Sequence, residues 1–261
     1  MIIDAHTHID RAHGKDWTAE MLLSGMKEAG IDHAIVIAND ITEAPLDKVL
    51  EVTRAHKEFS VLGNMEYHRL SEGWIDKLIG HLEAKDIKGV KLYPGYENYY
   101  PYDEKFHPLF EYCEKNGHPI MVHTGPMLSG CEGYLDQAHP LHIDRIATEY
   151  PQLKIVIAHL GNPWFYDTVA VMWKNPHVYA DISALFDEFK PLRKEEQEFN
   201  KKRLADVRTF MGSFNRFIFG TDWPLYSQKE YLQFAMQLEM TDEEKELLLW
   251  KNAKNIFNLE V

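Results

Sequence analysis

Residues 2–9 read Ile-Ile-Asp-Ala-His-Thr-His-Ile, an apolar run that closes with two histidines two positions apart. Seven further short apolar runs follow it along the chain. Several of them are rich in Val and Ile and are apolar on both faces, as strands buried in a parallel sheet must be. The eight runs, each predicted to form a strand, are Ile2–Ile9, His33–Asn39, Ser60–His68, Ile87–Pro94, Pro119–Gly125, Lys154–Gly161, Val178–Ala184 and Phe217–Pro224.

Amphipathic stretches separate these runs and predict helices. The predicted helices are Trp17–Ala29, Pro45–Phe59, Phe106–Lys115, Ile143–Tyr150, Phe165–Trp173, Leu192–Met211 and Asp242–Leu259. Thr241 is the candidate N-cap of the last one, because Glu244 follows it three residues later. Eight units in 261 residues give about 33 residues per unit, close to a (β/α)8 barrel of roughly 250 residues. No linker divides the chain, so the prediction is one α/β domain over residues 1–261, a TIM barrel.

The charge balance excludes some classes of partner. Acidic residues outnumber basic ones by 41 to 28, and the formal net charge is −13. Phosphate backbones and anionic lipid surfaces would repel such a chain, and no dense Lys and Arg run offsets this. We therefore expect a small-molecule substrate, with neither nucleic acid nor membrane as a partner. The outer helices of barrels often pair, so a homo-oligomer stays open.

The cysteines and the N-terminus bear on location. Two cysteines, Cys113 and Cys131, cannot build a disulfide framework, which favours a reduced intracellular protein. The N-terminus lacks the basic region and the apolar core of a signal peptide. No apolar stretch reaches the roughly 18 residues of a spanning helix. A cytoplasmic location is the resulting expectation.

Polar residues stand at the carboxyl ends of five of the runs. Four histidines, a lysine and an aspartate occupy these positions: His6, His8, Lys91, His123, His159 and Asp222. Alternate residues of a strand point to the same side, so side chains from different strands can converge at one end of the barrel. Imidazole nitrogens and a carboxylate in one cleft predict a divalent metal site. Zinc is the first candidate, with manganese and iron as alternatives.

The ordered set of strand ends resembles the amidohydrolase superfamily of metal-dependent (β/α)8 enzymes. The matching stretches lie in order along nearly the whole chain. They are Asp4-Ala5-His6-Thr7-His8, Gly89-Val90-Lys91-Leu92-Tyr93-Pro94, Val122-His123-Thr124-Gly125, Ala158-His159-Leu160-Gly161 and Gly220-Thr221-Asp222-Trp223-Pro224. The surrounding sequence, with the tail at 252–257, looks most like the amidohydrolase-related branch that includes aminocarboxymuconate-semialdehyde decarboxylase.

The resemblance implies a role for each matched residue. It implies that His6, His8 and His123 bind metal, and that Asp222 binds metal and takes a proton from the attacking water. In relatives with two metal ions, the histidine matching His159 binds the second ion. In relatives with one ion, that histidine lies beside the metal and polarises substrate or water.

Lys91 leaves two alternatives open. An ammonium close to a divalent cation in a poorly solvated site is repelled by several kcal/mol. In family members with lysine at this strand, CO2 carboxylates it and the carbamate bridges two metals, and the Lys-Leu-Tyr-Pro run looks like the dihydroorotase version of that strand. Alternatively, Lys91 stays an amine that faces a substrate carboxylate or a nearby acid in a one-metal site.

The hypothesis for activity is hydrolysis of a small cyclic amide, lactone or ester by metal-activated water. Asp222 accepts the proton, and the metal or His159 stabilises the oxyanion. The alternative is a non-oxidative decarboxylase of an unsaturated or aromatic acid, since the same ligands serve both. A DNase of the TatD type is disfavoured by the net charge and by Lys91, where that family carries glutamate. A silent binding protein is disfavoured by the complete ligand set.

Several further residues are candidates for contact with substrate. Arg11 follows the first run and His68 closes the third, and His13 is a weaker candidate beside Arg11. Tyr93 opens a loop over residues 93–102 with five tyrosines, which would suit a planar or apolar substrate, and Trp223 follows Asp222. We also expect Asp4 to lie behind the histidine pair, either as a support or as a buried polar group. The sequence does not determine whether Asp181 points into the barrel.

Overall fold

Eight parallel strands form the centre of the fold, and each matches one of the predicted runs. The computed structural model describes residues 1–12, 14–127, 131 and 133–261. The strands are β1 Ile3–Thr7, β2 His33–Ile37, β3 Phe59–Asn64, β4 Val90–Leu92, β5 Ile120–Val122, β6 Ile155–Ile157, β7 Val178–Asp181 and β8 Phe217–Ile218. A short hairpin of Arg11–Ala12 with Lys15–Asp16 follows β1.

The strands pair in chain order from β1 to β8, and every neighbouring pair is parallel. Two backbone hydrogen bonds join the last strand region to the first. The Ala5 amide donates to the Phe219 carbonyl at 3.0 Å, and the His8 amide donates to the Trp223 carbonyl at 2.7 Å. The sheet is therefore a nearly closed barrel, and the predicted TIM-barrel fold is confirmed.

Helices follow the strands and cover the barrel. They are α1 Ala19–Ala29, α2 Leu46–Thr53, α3 Trp74–Glu83, α4 His107–Asn116, α5 Leu141–Glu149, α6 Phe165–Lys174, α7 Lys194–Met211, α8 Gln228–Ala235, α9 Asp242–Glu246 and α10 Asn252–Ile256. Short 3-10 turns occupy Asp40–Thr42, Tyr67–Glu72, Glu104–Phe106, Leu135–Ala138 and Ala158–Gly161. Helices α3 and α8 were not among the predicted ones.

The predicted C-terminal helix is divided into three segments, because a π-helical turn at Leu247–Lys251 separates α9 from α10. Its predicted N-cap is confirmed. The Glu244 amide donates to Thr241 Oγ1 at 3.2 Å, and the Thr241 amide donates to Glu244 Oε2 at 2.8 Å. These reciprocal bonds satisfy two backbone donors that a helix start otherwise leaves unpaired.

Apolar side chains fill the barrel up to its carboxyl-terminal mouth. The inner cluster contains Ile3 and Ile35 from the strands and Ile256 and Phe257 from the C-terminal segment. Asn252 of α10 donates to the carbonyl of Phe217 at 2.9 Å, which places this helix against the amino end of β8. With that end closed by apolar groups, polar chemistry is concentrated at the opposite rim, where TIM-barrel active sites form.

A buried histidine outside the site makes stability depend on pH. His33 at the start of β2 is 4% exposed, its Nε2 lies 2.9 Å from Ser60 Oγ, and burial lowers its pKa from 6.5 to about 4. The unfolded chain therefore binds the extra proton first as the pH falls. The contribution of neutral His33 is complete above the unfolded pKa and is lost as the pH falls from about 6.5 towards about 4.

We expect His33→Gln, which keeps a polar partner for Ser60 but does not titrate, to flatten this dependence. Between about pH 7 and about pH 4.5, wild type should lose about 2 kcal/mol more unfolding free energy than the variant. Urea unfolding at both pH values measures the difference, and His56→Gln controls for loss of a partly exposed imidazole. Parallel pH curves for wild type and His33→Gln would contradict the assignment.

Candidate metal centre

A cavity of about 310 Å³ opens at the carboxyl ends of the strands, and we call it the central cavity. The six side chains predicted as metal ligands come from five different strand ends. All six line this cavity: His6, His8, Lys91, His123, His159 and Asp222. Each is less than a tenth exposed, so the group is held in a poorly hydrated environment. The structure thus brings together every residue of the predicted set.

A β-bulge places the two histidines of β1. Ile3 and Asp4 pair with consecutive residues of β2, but the register then shifts by one residue before Thr7. Strict alternation would put His6 on the same side as Asp4, whose carboxylate faces Gln228 of α8. The extra residue re-aims the side chains after it, as bulges near active sites do. His6 and His8 therefore reach the central cavity.

Left-handed backbone conformations place two more of the residues. His159 has a φ of 59° and Asp222 a φ of 63°, which are uncommon for residues other than glycine. Strained conformations of this kind are concentrated at functional sites. Gly220 allows the close approach of the β8 segment to β1, because a Cβ there would lie 2.8 Å from the Cβ of His6.

Asp222 lies between the two imidazoles of β1. Its Oδ1 is 3.1 Å from His8 Nε2 and 3.5 Å from His6 Nε2. The three residues can each offer one ligand atom, and these atoms all lie within 4.8 Å of one another. Two imidazole nitrogens and a carboxylate oxygen at this spacing are a suitable start for a four-coordinate zinc site.

Hydrogen bonds determine which nitrogen of each ring carries the proton. His8 Nδ1 lies 3.1 Å from the Ile37 carbonyl, which can only accept, so Nδ1 donates and His8 Nε2 is the nitrogen that faces Asp222. His6 Nδ1 lies 2.9 Å from Asp181 Oδ2 and donates to it in the same way. Ligating histidines commonly have this kind of partner on the other ring nitrogen.

Asp181 and Ser183 extend this arrangement to His159. Asp181 Oδ1 accepts from Ser183 Oγ at 2.5 Å and from the His159 amide at 2.9 Å. Because the Ser183 hydroxyl donates to Asp181, its oxygen accepts from His159 Nδ1 at 2.8 Å. The Nε2 lone pairs of His6 and His159 are therefore both left for another partner.

Burial and neighbouring charge determine the protonation states here. Burial acts to raise the pKa of Asp222, but the charge of His6 and the hydrogen bond from His8 outweigh it and lower that pKa overall. Asp181 shows the same balance, in which the charge and hydrogen bond of His6 lower its pKa. Burial lowers the pKa of His159 to about 3. Both carboxylates are thus ionised and His159 is neutral near neutral pH.

The donors fit a divalent cation. His8 Nε2 lies 3.1 Å from Asp222 Oδ1. Burial opposes protonation of His8, but the hydrogen bond to Asp222 and its charge raise the pKa of this ring, so the position between the two atoms favours positive charge, whether a proton or a metal ion supplies it. Among the described residues, His123 Nε2 is buried without a hydrogen-bond partner, although its ring lines the cavity. Neutral imidazoles and a carboxylate with unshared lone pairs are the ligands that zinc, manganese and iron take in proteins.

Lys91 is completely buried at the base of the cavity. Its Nζ lies 3.4 Å from His6 Nε2 and 5.3 Å from the centre of the Tyr93 ring. Burial lowers its pKa to about 8, against the opposing charges of Asp181 and Asp222. Lys91 therefore loses a proton more easily than an exposed lysine does. Its position 3.4 Å from His6 Nε2 is compatible with both alternatives given for it, the carbamate and the free amine.

The structure adds two acids that the sequence did not assign to the site. Asp181 points inward and supports two of the predicted ligands. Asp10 lines the cavity, accepts from Thr42 Oγ1 at 2.7 Å through Oδ2, and has an Oδ1 with no partner in the described part of the chain. Its position two residues after His8 is the sequence signal that could have indicated it. For Asp181, the only sequence signal was its place near the end of the apolar run Val178–Ala184.

Asp4 occupies the position expected for a support behind the histidine pair. Its carboxylate accepts from the amide of Thr221 at 2.9 Å, from Thr221 Oγ1 at 2.7 Å and from Gln228 Nε2 at 2.8 Å. Burial nevertheless raises the pKa of Asp4 to about 6. These bonds connect β1 to the residue immediately before Asp222.

The residues predicted to touch substrate are distributed over different surfaces. Arg11 and Tyr93 line the central cavity, and Arg11 NH1 also lies 3.5 Å from Glu43 in an exposed ion pair. The Trp223 ring lies outside the cavity lining and packs edge-on against Trp17 at 5.4 Å. His68 is 62% exposed and lines a neighbouring cavity instead. His13 is outside the described residues.

A parallel barrel with metal-binding groups at the carboxyl ends of its strands defines a class of TIM-barrel enzymes. The model of the amidohydrolase family matches residues 3–259. The chain belongs to this family, whose members are enzymes and generally bind divalent metal ions. The predicted membership is confirmed.

Among curated proteins, a gamma-resorcylate decarboxylase from Polaromonas sp. strain JS666 is similar to this chain. It is 24% identical over 210 residues, which cover 72% of this chain and 63% of the relative. The aligned part of this chain thus spans less than two thirds of that relative's length.

Three solved structures show the same barrel at low sequence identity. An amidohydrolase from Burkholderia multivorans with bound zinc has a TM-score of 0.77 at 16% identity, and covers 99% of each chain. A probable 2-pyrone-4,6-dicarboxylic acid hydrolase from Acinetobacter baumannii, with bound citric acid, has a TM-score of 0.76 at 15% identity and 99% coverage of each chain. A 5-carboxyvanillate decarboxylase from Sphingomonas paucimobilis has a TM-score of 0.71 at 15% identity, again over 99% of each.

A helix that spans a membrane needs about 20 predominantly apolar residues. Within residues 1–12, 14–127, 131 and 133–261, no helix is both long enough and apolar enough to cross a bilayer.

Proposed function

We propose that this protein is a metal-dependent hydrolase that opens a small cyclic amide, lactone or ester. The observation that carries the proposal is the ionised Asp222 carboxylate, 3.1 Å from His8 Nε2 and 3.5 Å from His6 Nε2 at the base of a cavity large enough for a small molecule. A base next to a metal site is what activation of water requires.

His6, His8, His123, His159 and Asp222 would hold the ion or ions, and zinc suits this set of nitrogen and oxygen donors best. When bound, the metal supplies Lewis acidity, which polarises a carbonyl and makes water acidic enough to react near neutral pH. Asp181 accepts directly from His6 Nδ1 and, through the Ser183 hydroxyl, keeps the proton of His159 on Nδ1. The Nε2 atoms of both rings are thereby left free to bind metal.

Asp222 moves the proton in the proposed reaction. The water oxygen forms a bond to the carbonyl carbon while its proton passes to the Asp222 carboxylate. The bond between that carbon and the ring oxygen or nitrogen then breaks, and Asp222 returns the proton to the leaving atom. Tyr93 and Arg11, which line the cavity, are placed to contact the rest of the substrate.

A second candidate is decarboxylation of a small unsaturated or aromatic acid. Two observations favour it: the curated relative described above is a decarboxylase, and Lys91 as an amine would present a cation to a substrate carboxylate inside the cavity. In that case the bond to the carboxyl carbon breaks, CO2 leaves, and a proton is delivered to the carbon that carried it.

Metal removal and product analysis distinguish the two candidates. We expect chelation to lower turnover of the best compound in a panel of lactones, cyclic amides and aromatic acids by about tenfold or more, and zinc or manganese to restore it. Ring opening with uptake of water supports the hydrolase. Release of CO2 supports the decarboxylase instead, and full activity in the metal-free protein contradicts both.

Counting metal ions on the reloaded protein separates the two roles of Lys91. Two ions per chain, with a bicarbonate-dependent gain in mass that Lys91→Met abolishes, support a bridging carbamate and hydrolysis. One ion and an unmodified Lys91 support the amine.

A further inference from the structure

A second cavity of about 710 Å³ adjoins the central cavity. The two cavities are neighbours, because they share four lining residues: Asn39, Ile41, Tyr93 and Tyr96. We call the second cavity the acidic annex, and define it by Asp40, Asn64, Glu66, His68 and Glu97, which line it beside the shared residues. The proposed reaction does not use these five residues.

The charged groups that line the acidic annex are acidic. Asp40, Glu66 and Glu97 contribute carboxylates, and neither Lys nor Arg is among the described lining residues. Atoms of Asp40, Glu66 and His68 lie within 4.8 Å of one another. His68 Nδ1 is 3.6 Å from Glu97 Oε1, so all the groups belong to one cluster. Such a surface attracts cations and repels anions.

Arg69 neutralises only part of this charge. Its NH1 lies 2.8 Å from Glu66 Oε2, and its guanidinium is 4.0 Å from the centre of the Trp74 ring, outside the lining of the annex. Burial raises the pKa of Glu66, as expected for a carboxylate whose counter-charge is incomplete. Asp40 and Glu97 have no lysine or arginine partner among the ion pairs of the described residues.

Asn64 gives independent evidence that the acidic annex receives a ligand. The residue is 2% exposed and lines the annex, and its Nδ2 donates to Glu66 Oε1 at 3.4 Å. Its Oδ1 is buried with no hydrogen-bond partner in the part of the chain that the structure describes. A buried acceptor left without a partner is costly, so this oxygen calls for a donor that the described residues do not supply.

Aromatic rings complete the lining. Tyr67, Tyr93 and Tyr96 all contribute to the annex. The Tyr67 ring already stacks on Tyr99 at 4.8 Å and has Lys105 Nζ 4.6 Å from its centre, so Tyr93 and Tyr96 are the aromatic residues that can contact an organic cation there. The volume of the annex also exceeds what a single metal ion occupies, and the annex adjoins the central cavity.

We propose that the acidic annex binds the positively charged group, an ammonium or guanidinium, of a substrate whose scissile bond lies in the central cavity. Glu66 and Asp40 accept charged hydrogen bonds from it, and Asn64 Oδ1 accepts one more. The statement that the bound molecule is a substrate rests on the proposed hydrolase function. Binding of the cation to the annex does not depend on turnover and can be tested separately.

Binding is measured first, by calorimetric titration of the metal-loaded protein with n-hexylamine and with 1-hexanol. We expect the amine to bind about tenfold or more tightly than the alcohol, because hydrogen bonds between an ammonium and a carboxylate are stronger than those of a neutral hydroxyl. Glu66→Gln combined with Asp40→Asn should bring the two affinities to within about threefold. Asp40→Asn alone, at an exposed position, should reduce the ratio and serves if the buried substitution lowers the yield of folded protein.

Glu72→Gln is the matched control. Glu72 is an exposed acid in the same 3-10 turn as His68 and is paired with Arg69 at 3.2 Å, but it does not line the annex. The preference for the amine should survive this change. Equal affinities for amine and alcohol in wild type, or an unchanged preference in the double variant, would overturn the proposal.

Two further arms separate related outcomes. Titration with Mn²⁺ that shows an additional site, lost in the double variant, would make the annex a metal site and overturn the organic-cation assignment.

In the kinetic arm, the p-nitrophenyl esters of 6-aminohexanoic acid and heptanoic acid are compared. A higher kcat/KM for the amino ester, lost in the double variant, supports the proposal. Hydrolysis of neither ester with retained amine binding contradicts the hydrolase function and leaves the annex assignment standing.

Discussion

Asp222→Asn should lower kcat by about 10²- to 10⁴-fold, the usual contribution of a positioned acid–base group. The amide cannot accept the proton of the attacking water or return it to the leaving atom. The left-handed backbone at this position, with a φ of 63°, is one that Asn adopts readily, so the substitution leaves the fold in place. The expected defect is therefore in chemistry rather than in folding.

The measurement must separate proton transfer from metal loss, because Asp222 also lies against His6 and His8. Steady-state kinetics are combined with metal content and with binding of a substrate-sized competitor. Asp187→Asn, which removes an exposed carboxylate paired with Lys190 at 3.0 Å, is the matched control and should retain activity. Turnover of Asp222→Asn within a few-fold of wild type, with metal bound, would show that another group moves the proton.

The second large effect is expected at Asp181, which touches neither the cavity nor the proposed substrate. Asp181→Asn should weaken zinc binding by about 10- to 100-fold, the usual cost of losing the partner of a ligating histidine. The carboxylate accepts from His6 Nδ1, the His159 amide, the Ser183 amide and Ser183 Oγ. An amide has one acceptor oxygen and no charge, so it cannot satisfy this set or hold the same tautomer of His6.

Competition with a chromogenic chelator measures the zinc affinity of Asp181→Asn directly. Ser183→Ala is the companion variant. It removes the Ser183 hydroxyl, which bonds to both Asp181 and His159 Nδ1, while keeping the bond between Asp181 and His6. We therefore expect a smaller loss of zinc affinity. If Asp181→Asn binds zinc as tightly as wild type but turns over more slowly, then the role of Asp181 is not to position the ligands.

Much of the fold was readable because its signals are local. Eight apolar runs, each long enough for one strand and separated by amphipathic stretches, predicted the barrel and the order of its strands. Helix α3 was missed although Trp74, Leu78 and Leu82 are buried at helical spacing. Helix α8 was missed although Ser227 caps it. The π-helical turn between α9 and α10 had no signal, because it depends on how the C-terminal segment packs against the barrel.

The residues of the candidate site also differ in how far local sequence predicts their positions. All six ligands were predicted from the strand ends, and for Lys91 and His123 strand alternation is enough to reach the cavity. Simple alternation does not account for the other placements, since His6 depends on a bulge, and His159 and Asp222 depend on left-handed backbone conformations. Asp181 was also beyond local reasoning, because it supports His6 and His159, which lie more than twenty positions away along the chain.

By itself, the sequence determined the strand order, the barrel and the set of groups able to bind a metal, because residue type and periodicity act over a few neighbouring positions. Only the tertiary structure decided the direction of the β1 histidines, the protonated nitrogen of each ring, and the opening of the acidic annex beside the central cavity. Each of these depends on which backbone groups and charges from distant segments come within a few ångströms. A one-residue shift in register is enough to turn a side chain from one face of a strand to the other.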